Sequence, residues 1–115
     1  MKENIVQNKA FAFAVRIVTF YKHYVETHKE YVLSKQLLRS GTSIGANIEE
    51  AIGGVSKADF SYKIGIAYKE ARETRYWIKL LKATDYIDQK TFESFFHDIE
   101  ELCKLLASIL KSSRS

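Results

Sequence analysis

Apolar residues return along this chain at alternating intervals of four and three, in four separate runs. The first run is Val6, Ala10, Phe13, Ile17, Phe20 and Tyr24. That spacing places side chains on one face of an α-helix. Phe11, Ala14, Val18, Tyr21 and Val25 form a second stripe beside it. Asn4 followed by Gln7 fits a capping box, so the pattern predicts a helix over 4–26. A second helix is predicted over 29–53, with Thr27 and Glu30 capping its start. Its inner stripe is Leu33, Leu37, Gly41, Ile44, Ile48 and Ala51, and Gly53-Gly54 supplies the stop.

The third run has the clearest start. Ser56 is a good N-cap with Asp59 three residues on, and Val55 and Phe60 stand where a hydrophobic staple needs them. Phe60, Ile64, Ala67, Ala71, Thr74, Ile78 and Leu81 then predict a helix over 56–84. In the fourth run Asp88 is the N-cap, with Ile87 and Phe92 as the staple, and a helix is predicted over 88–112. Its stripe is Phe92, Phe96, Ile99, Cys103, Leu106 and Leu110, with Phe95, Leu102 and Ile109 alongside. Sustained 4-3 spacing favours near-antiparallel neighbours crossing at about 20°. Short connections then give an all-α, antiparallel up-down four-helix bundle, a single domain over 1–115. The complete lack of proline agrees with long uninterrupted helices.

Helices 1 and 4 carry apolar faces wider than the roughly 100° a monomeric bundle needs. Tyr62, Tyr68, Tyr76 and Trp77 add aromatic surface to helix 3. Part of this surface is expected to be an interface between copies of the chain.

Charge changes the picture modestly. The net charge of +4 and pI of about 9.1 permit a nucleic-acid partner without demanding one. Lys9, Arg16 and His23 recur every seven residues on helix 1, on the side read as facing away from both apolar stripes. Lys69, Arg72, Lys79 and Lys82 form an outward stripe on helix 3, with Arg75 beside it. The plainer reading of such residues is a solvated face, with Lys69 pairing to Glu73 along the helix. Lys9 and Arg16 interrupt the apolar residues at the start, so a signal peptide is not expected. No apolar run approaches the about 20 residues of a membrane span. The one cysteine, Cys103, fits a cytoplasmic protein.

The stretch RSGTSIGANIEEA at 39–51 is the natural place to look for chemistry. A Walker loop needs a lysine after its second conserved glycine, and here Ala46 follows Gly45. Ser40 or Ser43 as a nucleophile needs a base, but His23 and His28 lie two or more helical turns away along the axis. A di-iron bundle needs Glu-x-x-His pairs, and the chain has none. Glu70, Glu73 and Glu50 are expected to pair with cations such as Arg39, Arg72 or Lys69. Cys103 sits on an apolar stripe as a core residue. No enzymatic activity, metal or cofactor is therefore expected. Gly41 and Gly45 read as a close-packing motif with Ser40, Ser43, Asn47 and Glu50, because a mid-helix glycine costs about 1 kcal/mol relative to alanine. The small polar residues are expected to bond across the contact or to their own backbone.

The block LLRSGTSIGANIEEA (37–51), with SKADF (56–60) and IAYKEARETRYWIKLL (66–81), resembles the bacterial proteins encoded within intervening sequences of 23S rRNA genes. The similarity covers nearly the whole chain. It implies a four-helix bundle, a ring-shaped homopentamer and no known enzymatic activity. The family is similar to the accessory variability proteins of diversity-generating retroelements, which bind nucleic acid and a reverse transcriptase through a basic surface. This chain departs from that group in being only mildly basic. Two functions follow as expectations: an RNA- or DNA-associated oligomer, or a scaffold that engages a partner protein through its aromatic surface.

Overall fold

The computed structural model describes residues 2–114. It consists of α1 (Lys2–His28), α2 (Leu33–Ile52), α3 (Lys57–Ala83) and α4 (Gln89–Arg114). At 1.5 Å per residue, the 27-residue helices α1 and α3 nearly span the molecule's 44 Å long axis. Each short connection therefore reverses the chain. Consecutive helices pack side by side, and α1 returns against α4 along the loosest of the four seams. The all-α up-down bundle expected from the sequence is the observed fold.

The inner stripes of α1, α2 and α3 fall where the spacing places them. Val6, Ala10, Phe13, Ile17, Leu37, Ile44, Ile48, Ile64, Ala67, Ala71, Ile78 and Leu81 are buried in one core cluster. On α4 the face is rotated from the expected stripe. Phe95, Ile99, Leu102, Leu106 and Ile109 are buried, whereas Phe92, Phe96 and Leu110 are half-buried at its edge. A face with this many apolar residues does not reveal its own centre. Cys103 is buried, and that burial pushes its thiol pKa up.

The helix starts show which capping signals matter. Ser56 Oγ accepts the N–H of Asp59 at 3.0 Å, and Asp88 Oδ1 accepts that of Thr91 at 2.8 Å. Ile87 is buried, but Val55 is 93% exposed, so no staple forms at α3. The predicted start of α2 is four residues early. α1 runs on to His28, and Lys29 takes a left-handed φ of 54° that ends it. Thr27 belongs to α1 and donates to the His23 carbonyl. Glu30 alone caps α2: its carboxylate accepts the N–H groups of Val32, Leu33 and Ser34 at 3.0, 2.7 and 2.9 Å. Burial raises its pKa, but these bonds outweigh burial and hold the carboxyl below its ordinary 4.5. Asn4 lies inside α1 rather than at its start, and Gln7 donates to Glu49 on α2 at 2.8 Å.

The small-residue stretch of α2 is a packing surface. A Cβ on Gly41 would stand 3.1 Å from Ile17 Cγ1, so the absent side chain is what seats Ile17. At Gly45 a Cβ would meet the Ala10 backbone of α1 at 3.6 Å, ordinary contact between two closely approaching helices. On the opposite side the buried hydroxyls of Ser40 and Thr74 bond at 2.9 Å and join α2 to α3. Ser43 donates to the Arg39 carbonyl and Asn47 to that of Ser43. Glu50 accepts from Lys63 at 2.6 Å.

Candidate nucleic-acid interface

The two basic stripes have different environments. On α1, Lys9 Nζ lies 3.3 Å from Glu101 Oε1 on α4. Arg16 pairs with Asp98, donates to Ser94 Oγ at 2.7 Å, and lies 4.3 Å from the centroid of the Phe95 ring. Both cations bridge the α1–α4 seam. The expectation that they face away from the bundle is thus corrected: they flank the inner stripe on the side where α4 supplies acids. His23 is exposed two turns further along.

On α3 the basic residues divide. Arg75 turns toward α4, donates to Glu100 at 2.7 Å and lies 5.2 Å from the centroid of Phe96. Lys82 is half-buried and borders a groove with Asp85 and Asp88 at the end of the bundle. Lys69, Arg72 and Lys79 are exposed and form no ion pair among the described residues. Arg72 makes only a long contact, 3.4 Å, to the Tyr68 hydroxyl.

The acid expected beside Lys69 is engaged elsewhere. Glu73 accepts from Trp77 Nε1 at 2.8 Å and pairs with Arg39 of α2. The Trp77 bond, with help from Arg39 and against burial, holds the Glu73 carboxyl below its ordinary range. Glu70 meets the same guanidinium at 3.1 Å. The two acids on α3 nearest the basic stripe are therefore both engaged by a single guanidinium of α2.

Two tyrosines lie among the unpaired cations. Tyr62 is 68% and Tyr76 57% exposed. Along the outward face of α3 the order is Tyr62, Lys69, Arg72, Tyr76, Lys79, with steps of seven, three, four and three. Helical geometry places all five on one side. The sequence carries this interleaving, but the tyrosines and the cations read as separate features until the core face of α3 is fixed.

Gly65 lies on the same face. A Cβ there would meet only Leu110 Cδ1, at 3.9 Å. Above it opens a groove of about 640 Å³ lined by Tyr62, Tyr68, Lys69, Leu110 and Arg114, with Ala58, Ser61 and Ile66. Ser113 Oγ donates to Ser61 Oγ at 3.1 Å and ties the last turn of α4 to α3 at this point.

The exposed large apolar residues of α1 are Ile5, Phe11, Val15 and Val18. No α4 residue joins them among those described, because the extra apolar residues of α4 belong to the core or its edge. Among the described residues no helix is long and apolar enough to cross a membrane.

The family model described as 23S rRNA-intervening sequence protein matches residues 2–108. A crystal structure from Bacteroides thetaiotaomicron VPI-5482, described as a protein of unknown function from the S23 ribosomal protein family, is 56% identical in sequence. It superposes with a TM-score of 0.94, covering 96% of this chain and 99% of that one. A comparison with curated proteins finds no match.

Proposed function

The chain belongs to the 23S rRNA-intervening sequence protein family, and from that premise we propose that it is a non-enzymatic nucleic-acid-binding protein. The outward face of α3 is its binding surface, and the chain acts as a homo-oligomer, a ring of five. The observation that carries this reading is the stripe Tyr62, Lys69, Arg72, Tyr76, Lys79: three cations without ion pairs among the described residues, interleaved with two exposed aromatic rings.

The chemistry follows from that alternation. Lys69, Arg72 and Lys79 contact phosphates and release condensed counterions. Tyr62 and Tyr76 offer ring faces on which bases stack. A single protomer supplies few contacts, and repetition around a ring multiplies them. The exposed Phe11, Val15 and Val18 of α1 support self-association, since such a patch is seldom left in water. The hydroxyls and amide of 40–47 are bonded to backbone or to Thr74, which supports a structural role for them rather than a catalytic one.

RNA and DNA binding titrated across salt tests the proposal, with oligomer mass read by light scattering in the same samples. Three phosphate contacts on a single strand give a log–log slope near −2 for each protomer engaged, at about 0.7 per contact. No binding at ~50 mM salt by an intact oligomer would overturn the reading. Phe11 and its neighbours favour a second reading, a scaffold for a partner protein, whose binding would change little with salt.

A further inference from the structure

We propose that the groove over Gly65 is a base subsite, in which one unstacked nucleobase of a single-stranded polynucleotide lies on bare α3 backbone, its phosphate held by Lys69 and Arg114. The inference deepens the reading of α3 as the binding surface and rests on it.

Packing requires Gly41 and does not require Gly65. Gly41 is explained by Ile17, which a Cβ would press at 3.1 Å. Gly65 has no such neighbour, only Leu110 Cδ1 at 3.9 Å, so alanine would fit and would favour the helix. What the missing side chain creates is the floor of a groove of about 640 Å³, within the size range of small-ligand sites. Tyr62 and Tyr68 stand three residues before and after Gly65, so their rings flank the floor on its two sides. Leu110 adds apolar surface. Lys69 and Arg114 border the groove, and no acid among the described residues lines it. Open backbone between aromatic walls suits a flat ring, and two cations without an acid suit an attached phosphate. A base paired and stacked in a duplex cannot enter, so the subsite selects single strands.

The test uses the full chain with three probes of one sequence, about 12 nucleotides long: single-stranded RNA, single-stranded DNA and the blunt DNA duplex. Gly65→Leu fills the floor from an open position. It is expected to keep the oligomer mass and to melt no lower than the parent. Its affinity for single strands should fall about 10-fold, with the salt slope unchanged and duplex binding unaffected. The loss in RNA alone, in DNA alone or in both supports the subsite and shows whether the sugar is sensed. Gly65→Ala, adding one methyl, should lose less, and it carries the test if the leucine variant melts early. Single-strand affinity in Gly65→Leu equal to the parent's would overturn the subsite while leaving the α3 surface standing, provided that Lys69→Glu/Arg72→Glu/Lys79→Glu abolishes binding. Absence of binding by the parent protein would overturn both.

Discussion

α1 and α3 are each 27 residues long, and each carries cations outside its core face. On α1 the cations are tied down: Lys9 to Glu101, Arg16 to Asp98 and Ser94 over the Phe95 ring. On α3 the acids that would have neutralised the stripe are drawn to Arg39, leaving Lys69, Arg72 and Lys79 without ion pairs among the described residues. The glycines that meet these helices divide likewise. Gly41 receives Ile17 of α1, whereas Gly65 of α3 opens onto a groove. The lesson is that a basic heptad has no meaning until the neighbouring acids are placed. α1 spends its charge on joining helices, and α3 keeps its charge available.

The largest effect should come from forcing the α1 fit. Gly41→Leu drives a side chain into Ile17 and is expected to cost about 3 kcal/mol or more. Thermal melting should show a large drop and loss of the oligomer, and an unchanged melt would break the packing half of the comparison. Next is the α3 surface itself. Lys69→Glu/Arg72→Glu/Lys79→Glu should weaken RNA binding by at least about 100-fold at moderate salt, with far-UV circular dichroism unchanged. Tyr76→Ala removes one stacking face and should weaken single-strand binding by about 1–3 kcal/mol without altering the salt slope. A changed slope there would mean that Tyr76 acts by placing Lys79 or Arg72 rather than by stacking.

Smaller effects sharpen the contrast from the α1 side and from the turn that follows it. Arg16→Ala loses a partly exposed ion pair and a cation–π contact, about 1 kcal/mol of stability, with nucleic-acid affinity unchanged. The smallest effect is the Glu30 cap. Its folded pKa lies below the ordinary value of 4.5, so its stabilising contribution is complete above that value and is lost as pH falls through the folded one. Glu30→Gln should therefore melt lower than the parent at neutral pH, with the gap closing as pH falls below 4.5.

Much of this architecture is legible in the residues. Four-three spacing places the core faces of α1, α2 and α3, and Ser56 and Asp88 mark two helix starts. The misplaced start of α2 has a local cause. Thr27 and Glu30 both look like caps, and only the left-handed Lys29 shows that the chain has to leave α1 before Glu30 can act. Val55 fits the staple position but stays in water, because its exposure depends on where the turn points. On α4 nine apolar positions crowd one side, and only contact with the other helices decides that Phe95 lies deeper than Phe96. The candidate interface was half legible. Lys69, Arg72 and Lys79 are where the spacing puts them, but the capture of Glu70 and Glu73 by Arg39 depends on a helix more than thirty residues earlier. Lys9 and Arg16 misled for the same reason in reverse, since their acids lie more than eighty residues later.

The central claim is that α3, and not α1, presents its charge to nucleic acid. The direct test compares Lys69→Glu/Arg72→Glu/Lys79→Glu with Lys9→Glu/Arg16→Glu in one salt-titrated binding assay, with melting read on the same samples. The α3 variant is expected to melt like the parent and to lose RNA and DNA. The α1 variant is expected to melt lower and, below its melt, to bind with the parent's affinity and salt slope. An α1 variant that loses binding while the α3 variant keeps it would contradict the account.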